Sequence, residues 1–509
     1  MLFNSFDFLV FFPIVVILYY VIPPKVRYLW LLAASYYFYM CWNAEYALLL
    51  LASTVITYTS GLLLAKTDAR EQVPVAPALT VDQKSGSSGM LRKWIVAGSF
   101  ILNLSILFFF KYANFAAETL TGLFSKAGLQ LNIPPFDVLL PVGISFYTFQ
   151  ALSYTMDVYR GEIYAEKNFF RYALFVSFFP QLVAGPIERS KNLLKQLAVP
   201  KKFSFDNART GLYRMLWGYF LKLCLADRIA VFVDTVYVNH AEYTGWYIAV
   251  ATILFAVQIY CDFAGYSAIA MGAAKILGVE LMENFDAPYL STTVAGFWRR
   301  WHISLTSWFR DYLYIPLGGS RRGKFRKYLN KMIVFLISGL WHGASFSYVI
   351  WGGLNGFYQV FGEITQPLRQ KFLKTLKIRE TSKFHRLLQG IVIFLLIDFS
   401  WIFFRAGSFR DALTLIREMC SNLNLRFFVD GSLFNCGLDR PTFLLTVACI
   451  LLLLFVDICR RKGLNLREEL ANRKYPVRCI VLIAAVCFIL IFGVWGSRYD
   501  ASAFIYFQF

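Results

Sequence analysis

Long apolar segments alternate with short polar segments along almost the whole chain. Many of the apolar runs hold about twenty residues, the length that carries a helix across the ~30 Å hydrocarbon core of a bilayer. The pattern predicts an all-α polytopic membrane protein with about eleven transmembrane helices, forming a single domain over residues 1–509. The predicted apolar segments are 7–22, 29–42, 45–65, 94–112, 136–159, 168–187, 210–232, 244–278, 332–344, 346–361, 387–406, 441–459 and 479–496.

The polar segments predict how the chain is oriented in the membrane. Segments 320–331, 362–386 and 460–478 are rich in Lys and Arg, so the positive-inside rule places them in the cytoplasm. Both termini, an outer loop at 407–440 and a tail at 497–509 then lie outside. The Pro-, Gly- and Ser-containing stretch 66–93 is predicted to be a flexible cytoplasmic linker. Two cysteines of the outer loop allow a disulfide in an oxidising compartment: Cys420 and Cys436.

Composition narrows the class further. The chain is 58% hydrophobic and only 16% charged, with a formal net charge of +20. In a soluble protein that excess would indicate nucleic-acid binding, but here the basic residues are confined to short segments between apolar runs, which the positive-inside rule explains. The nine cysteines form no CxxC pair, and we expect no metal site.

Chemistry is concentrated in residues 296–358. This stretch holds two of the four histidines, His302 and His342, each directly after a tryptophan (Trp301 and Trp341). Histidine exchanges protons near neutral pH, and an ionisable group in an apolar run marks a functional site by default. His342, next to small residues, can act as a general base toward a hydroxyl during acyl transfer, with His302 orienting or polarising the same site. The alternative is that both are core histidines that bridge helices.

Several charged residues accompany the histidines. Arg299, Arg300 and Arg310, the last followed by Asp311, lie on a segment predicted to be amphipathic and to dip into the bilayer. Guanidinium groups there can hold phosphate groups or lipid headgroups. Asp262 stands among aromatic and small residues, where it acts either as a buried hydrogen-bond anchor or directly in catalysis.

Two motifs around the histidines, FWRRWHISLTSWFRDYLYIPLGGSR and GLWHGASFSYVIWG, resemble those of the membrane-bound O-acyltransferase family. Together with LLPVGISFYTFQALSYTMDVYRG, FFPQLVAGPIER and CDFAGYSAIAMGAAKILGVELMENFDAPYLS, they are most similar to its bacterial branch that acetylates extracellular polysaccharides, alginate among them. The resemblance implies a ring of helices around a central funnel. His342 then corresponds to the family's essential histidine and His302 to its second motif histidine.

The resemblance also implies substrates and partners. No cofactor is bound; the donor is a cytoplasmic acyl thioester, acetyl-coenzyme A or an acylated carrier protein, and acetyl is favoured over the D-alanyl group that relatives move to teichoic acids. The acceptor is a cell-surface polysaccharide, reached through a periplasmic or surface partner of hydrolase fold, with the chain in the inner (plasma) membrane.

The final residues FIYFQF resemble aromatic C-terminal motifs of such acyl-export systems, in which a tyrosine carries the acyl group. This implies that Tyr506 is an acyl relay, since a phenol of pKa ~10 is a better leaving group than an aliphatic alcohol. The alternative is an aromatic anchor at the membrane interface. Two rivals for the whole chain are a proton-coupled transporter, which needs acidic partners for the histidines within the spans, and a non-catalytic export scaffold.

Overall fold

The computed structural model describes residues 1–67, 87–129, 133–136, 139–183, 185–495 and 505. Within these ranges the regular structure is entirely helical, and the chain divides into two compact units. Unit 1 comprises Met1–Leu212 and Ala270–Met282, and unit 2 comprises Tyr213–Ile269 and Glu283–Phe509.

Unit 1 is built from helices that exchange buried hydrogen bonds. Ser53 Oγ donates to Asn103 Oδ1 at 2.6 Å, and Tyr172 Oη donates to Thr57 Oγ1 at 2.7 Å. Such bonds hold helices together where apolar surroundings on every side give little net hydrophobic attraction between them. The helices that lie wholly in this unit are α1 (Phe6–Val21), α2 (Arg27–Met40), α3 (Tyr46–Lys66), α4 (Ser87–Lys126), α5 (Ile144–Tyr159), α6 (Phe169–Ser177), α7 (Phe179–Leu182) and α8 (Ser190–Ala198).

Unit 2 contains the histidines. Two helices have residues in both units, α9 (Phe205–Tyr219) and α11 (Trp246–Ile276), and α9 continues through a π-helix (Phe220–Ala226) into α10 (Asp227–Val238). The remaining helices are α12 (Val294–Trp298), α13 (Ile303–Phe309), α14 (Gly323–His342), α15 (Phe346–Ile364), α16 (Gln366–Thr375), α17 (Lys383–Arg405), α18 (Phe409–Met419), α19 (Arg440–Arg461), α20 (Leu466–Asn472) and α21 (Tyr475–Phe492).

Glycine allows two helices of unit 2 to touch backbone to backbone. A Cβ atom at Gly218 of α9 would lie 2.6 Å from the carbonyl oxygen of Gly265 of α11. Gly265, three positions after Asp262, therefore allows α9 and α11 to pack closely.

The number of spans is not confirmed. Among the described residues, six helices are long and apolar enough to cross a membrane: α3, α4, α11, α17, α19 and α21; α1 is a shorter apolar helix. Several predicted spans differ in the structure. In the 136–159 segment α5 begins at Ile144, and the 168–187 segment breaks at Phe178. The ring around a funnel stays a prediction.

The segments expected to be loops contain more helix than predicted. Most of the basic stretch 320–331 is not a loop, because α14 begins at Gly323 and carries residues 323–331 in its first turns. Residues 87–93 of the predicted linker belong to α4, a continuous helix of 40 residues, while 68–86 lie outside the described residues. The outer loop 407–440 contains α18, and its Cys420 and Cys436 are free thiols.

Candidate active site

The pair of helices α14 and α15 places His342. A Cβ at Gly339 would lie 2.2 Å from the carbonyl oxygen of Tyr348, and one at Gly352 would lie 2.2 Å from that of Phe335. The two backbones are therefore in direct contact one turn before His342, the last residue of α14. Gly343 follows His342, and the ring of Tyr348 packs directly against its Cα, with Tyr348 Cε2 2.1 Å from a Cβ built there.

His302 stands at the start of α13 in a left-handed backbone conformation, with φ of 45°. A residue other than glycine rarely adopts this conformation, and it is concentrated at functional sites. The turn divides a stretch that we predicted to be one amphipathic segment into the short helices α12 and α13. Its geometry is supported by a hydrogen bond of 2.9 Å from Ile303 N to Asn284 O.

The side chain of Asn284 fixes the tautomer of His302. Asn284 Oδ1 accepts from Ser304 N at 3.2 Å and from Ser304 Oγ at 2.9 Å. Because a backbone N–H can only donate, this atom is the amide oxygen, and His302 Nδ1 at 3.2 Å must be the donor toward it. The proton therefore resides on Nδ1, and Nε2 carries the lone pair.

Burial also keeps His302 uncharged. The side chain is 1% exposed and lies outside the six candidate spans. Loss of hydration disfavours the imidazolium form and lowers the pKa of His302 to about 3. At neutral pH this histidine is a weak base and a hydrogen-bonding group.

The fold brings the two predicted histidines together. Their ring centroids are 6.5 Å apart, although 40 positions separate them in the chain. Aromatic rings surround the pair edge-on: Phe263 lies 4.6 Å from His302, and Trp351 and Phe404 lie 5.1 and 5.3 Å from His342. The surroundings of both imidazoles are mainly apolar and exclude water, which strengthens any electrostatic interaction made there.

Trp341 belongs to the same cluster. Its ring centroid is 4.9 Å from that of His342 and 6.1 Å from that of His302, so it contacts both imidazoles. Of the aromatic residues around the histidines, only Trp341 was singled out from the sequence. The others, Phe263, Trp351 and Phe404, gave no local signal, because aromatic residues are frequent throughout the apolar runs. Asn284 was missed for a similar reason, since it lies 18 positions before His302.

The charged candidates have other partners. Arg300 pairs with Asp286 at 2.5 Å, and Arg310 pairs with its neighbour Asp311 at 2.8 Å and is largely exposed. Arg299 is exposed and donates to Ala295 O. A role for these arginines in binding the acyl donor stays a prediction.

Asp262 and Tyr506 complete the predicted set. Asp262 is 2% exposed, and its Oδ1 accepts a hydrogen bond from Lys222 Nζ at 2.6 Å. Whether it also acts directly in catalysis stays a prediction. Tyr506 lies outside the described residues. Among those residues no cluster of three or more His, Cys, Asp or Glu side chains could hold a metal ion.

Comparison with known proteins defines the class. Residues 165–404 match the model of the membrane-bound O-acyltransferase family, a range that includes both histidines and the rings around them. The chain belongs to the membrane-bound O-acyltransferase family. It is a multi-pass membrane acyltransferase.

Individual relatives extend the similarity over most of the chain. A probable alginate O-acetylase of Pseudomonas aeruginosa is 36% identical over 427 residues, covering 83% of this chain and 75% of the relative. A peptidoglycan O-acetyltransferase of Helicobacter pylori is 28% identical over 521 residues, covering 94% and 91%. A teichoic acid D-alanyltransferase of Bacillus subtilis is 27% identical over 293 residues, covering 55% and 72%.

Proposed function

We propose that the protein takes an acetyl group from a cytoplasmic acyl thioester and delivers it across the inner membrane for O-acetylation of a cell-surface polysaccharide. The observation that carries this proposal is the pair of histidines, 6.5 Å apart, buried among aromatic rings in a chain of this family. The polysaccharide class is supported by the relatives with the higher identity and coverage, whose names specify O-acetylation of alginate and of peptidoglycan.

His342 acts as the general base. It takes the proton of an acceptor hydroxyl, the oxygen attacks the thioester carbonyl, and the resulting tetrahedral intermediate expels the thiolate, which recovers a proton. General-base catalysis of this kind contributes about 10²- to 10⁴-fold to a rate. The mainly apolar surroundings support the role, because a nucleophile and its base are not solvated by bulk water there.

His302 orients the acceptor. Its Nδ1 proton points to Asn284 Oδ1, so Nε2 can accept a hydrogen bond from a hydroxyl but has no proton to donate to a carbonyl. Orienting the hydroxyl therefore fits this tautomer better than polarising the thioester.

Tyr506 serves as the first acceptor. Its acetyl ester would retain enough transfer potential for a second transfer, because a phenolate is a good leaving group. A periplasmic or surface enzyme of hydrolase fold then moves the acetyl group to the polysaccharide. In this arrangement the N-terminus and the C-terminal tail lie outside, as the distribution of basic residues predicts.

The test is the amount of base-releasable acetate on extracted surface polysaccharide. Cells carrying His342→Ala, at matched membrane abundance, should lose at least 99% of the acetate while polymer yield is unchanged. His240→Ala is the matched control. It also removes a histidine, but one that pairs with Glu418 of α18, with 2.7 Å between His240 Nδ1 and Glu418 Oε2. Full acetylation in the His342 variant would refute the general base. Base-released D-alanine instead of acetate in the parent strain would identify D-alanyl transfer as the activity.

A further inference from the structure

The C-terminal segment is tied to unit 2 at a buried cluster of charges. Ile505 is 3% exposed, and its backbone N–H donates to Asp262 Oδ2 at 3.0 Å. The other oxygen of that carboxylate, Oδ1, accepts from Lys222 Nζ at 2.6 Å. Asp262 therefore links the end of the chain to the interior of the unit.

The net charge of this cluster favours an additional hydrogen-bond donor from another part of the chain. Lys222 also pairs with Asp227 Oδ1 at 2.8 Å, and the three side chains are at most 9% exposed. One ammonium facing two carboxylates leaves a formal charge of −1. A buried negative charge is costly unless hydrogen bonds satisfy it, and Ile505 N–H supplies such a bond.

A second contact fastens the start of the same C-terminal region. Val494 N donates to Leu223 O at 3.1 Å, just after the end of α21. Leu223 follows Lys222 within the π-helix, a rare geometry that is frequent at functional sites. Two neighbouring residues of the π-helix therefore hold the chain on either side of the undescribed stretch 496–504. Leu223 binds Val494 directly, and Lys222 holds Ile505 through Asp262.

The attachment lies next to the candidate active site along α11. Phe263 directly follows Asp262, and its ring packs edge-on against His302 with 4.6 Å between centroids. Helix α11 therefore both accepts the hydrogen bond from Ile505, through Asp262, and contacts the imidazole of His302, through Phe263.

We propose that Asp262, held in place by Lys222, is a positioning residue that docks the C-terminal segment through the backbone of Ile505. Docking itself is independent of the activity. Its importance for acetylation rests on the proposed function, in which Tyr506, the next residue, receives the acetyl group.

Docking is tested by the accessibility of a cysteine introduced as Ile505→Cys, which keeps the backbone donor. A membrane-impermeant maleimide is applied to intact protein in bilayers, and labelling is quantified on the tryptic peptide 499–509, which contains no native cysteine. Adding Asp262→Asn should raise labelling at least tenfold, because Lys222 and Ile505 donate to different oxygens of the carboxylate and the amide replaces one of these oxygens by an NH₂ group, which cannot accept. The variant should still insert, since the remaining pair of Lys222 and Asp227 is neutral.

Asp457→Asn in the same cysteine background is the matched control. Asp457 is a buried aspartate of α19 that accepts from Tyr260 Oη at 3.1 Å, and its substitution should leave labelling unchanged. Unchanged labelling in the Asp262 variant, or an equal rise in both variants, would overturn the docking.

A second pair of variants leaves the charge cluster intact. Ile505→Pro deletes the backbone donor, whereas Ile505→Ala keeps it. Polysaccharide acetate should be lost at least tenfold in the proline variant and retained in the alanine variant, and full acetate in the proline variant would refute the positioning role. If the parent strain carries no acetate, the proposed function fails while the labelling experiment still decides docking.

Discussion

Trp351 presents its indole edge-on to the imidazole of His342, with 5.1 Å between ring centroids and 85° between ring planes. The indole is 1% exposed and stacks on Trp401 at 5.6 Å. It therefore limits the orientations that the imidazole of His342 can adopt, since an edge-to-face pair is favourable in only a narrow range of geometries.

Replacing this ring should affect both stability and activity. Trp351→Ala is expected to cost about 3–5 kcal/mol of unfolding free energy and to reduce acetylation strongly, whereas Trp351→Phe retains an aromatic edge and most of both. Trp94→Ala is the control, because Trp94 is 68% exposed. Thermal unfolding of purified protein and polysaccharide acetate are measured. Parental acetylation in Trp351→Ala would show that the ring contact is dispensable.

The contact between α14 and α15 predicts a contrast between neighbouring glycines. Gly352→Ala should destabilise the protein by about 1–3 kcal/mol, because its Cβ would overlap the Phe335 carbonyl. At Gly353 the nearest atom to a new Cβ is Leu336 Cδ2 at 3.5 Å, an ordinary contact, and alanine there should be neutral or stabilising by up to ~1 kcal/mol. Thermal unfolding in one detergent compares the two, and equal shifts would contradict the backbone contact.

Replacing Asn284 should reduce acetylation, although this residue lies 18 positions before His302 in the chain. Asn284→Ala removes the shared acceptor of His302 Nδ1, Ser304 N and Ser304 Oγ, at a cost of about 1–3 kcal/mol for each buried donor that is left unpaired. His302 Nδ1 keeps the longer contact of 3.4 Å to Ser304 Oγ, which can donate or accept and so does not fix the tautomer. Acetate content should fall well below that of Ser304→Ala, which leaves Asn284 Oδ1 beside His302 Nδ1 and removes the hydroxyl contacts of 2.9 Å to Asn284 Oδ1 and 3.4 Å to His302 Nδ1. Equal acetate in the two variants would argue against control of the tautomer.

Acidification should destabilise the protein through His302. Its pKa is lowered to about 3 in the folded state from an ordinary 6.5, so between these values the unfolded chain binds more protons. Stability from this group is therefore complete above pH 6.5 and is lost as the pH falls, by about 2 kcal/mol between pH 7 and pH 5. Unfolding measured at both pH values should show a smaller loss in His302→Gln, and an identical loss would refute the assignment.

Sequence reasoning identified both histidines because each forms a Trp-His motif in an apolar setting, where an ionisable group is conspicuous. It could not identify Asn284 or Trp351, because polarity patterns indicate which segments leave water but not which side chains meet. For the same reason, polarity patterns alone do not fix the number of spans. Helix α14 carries its basic residues on the helix itself, so the boundary between apolar and basic sequence does not mark where a helix begins.

The π-helix at Phe220–Ala226 also bears on how this region tolerates a change in length. A π-turn holds one residue more than an α-turn between bonded groups, as in the bond from Asp227 N to Lys222 O. Deleting one residue between these two would restore α-helical spacing and leave the rest of α10 in register with α9. Lys222 and Asp227 would then be four positions apart, a spacing at which two side chains still share one face of an α-helix. A family member one residue shorter at this point is therefore expected to form a continuous α-helix here and to keep the same face of α10 toward its neighbours.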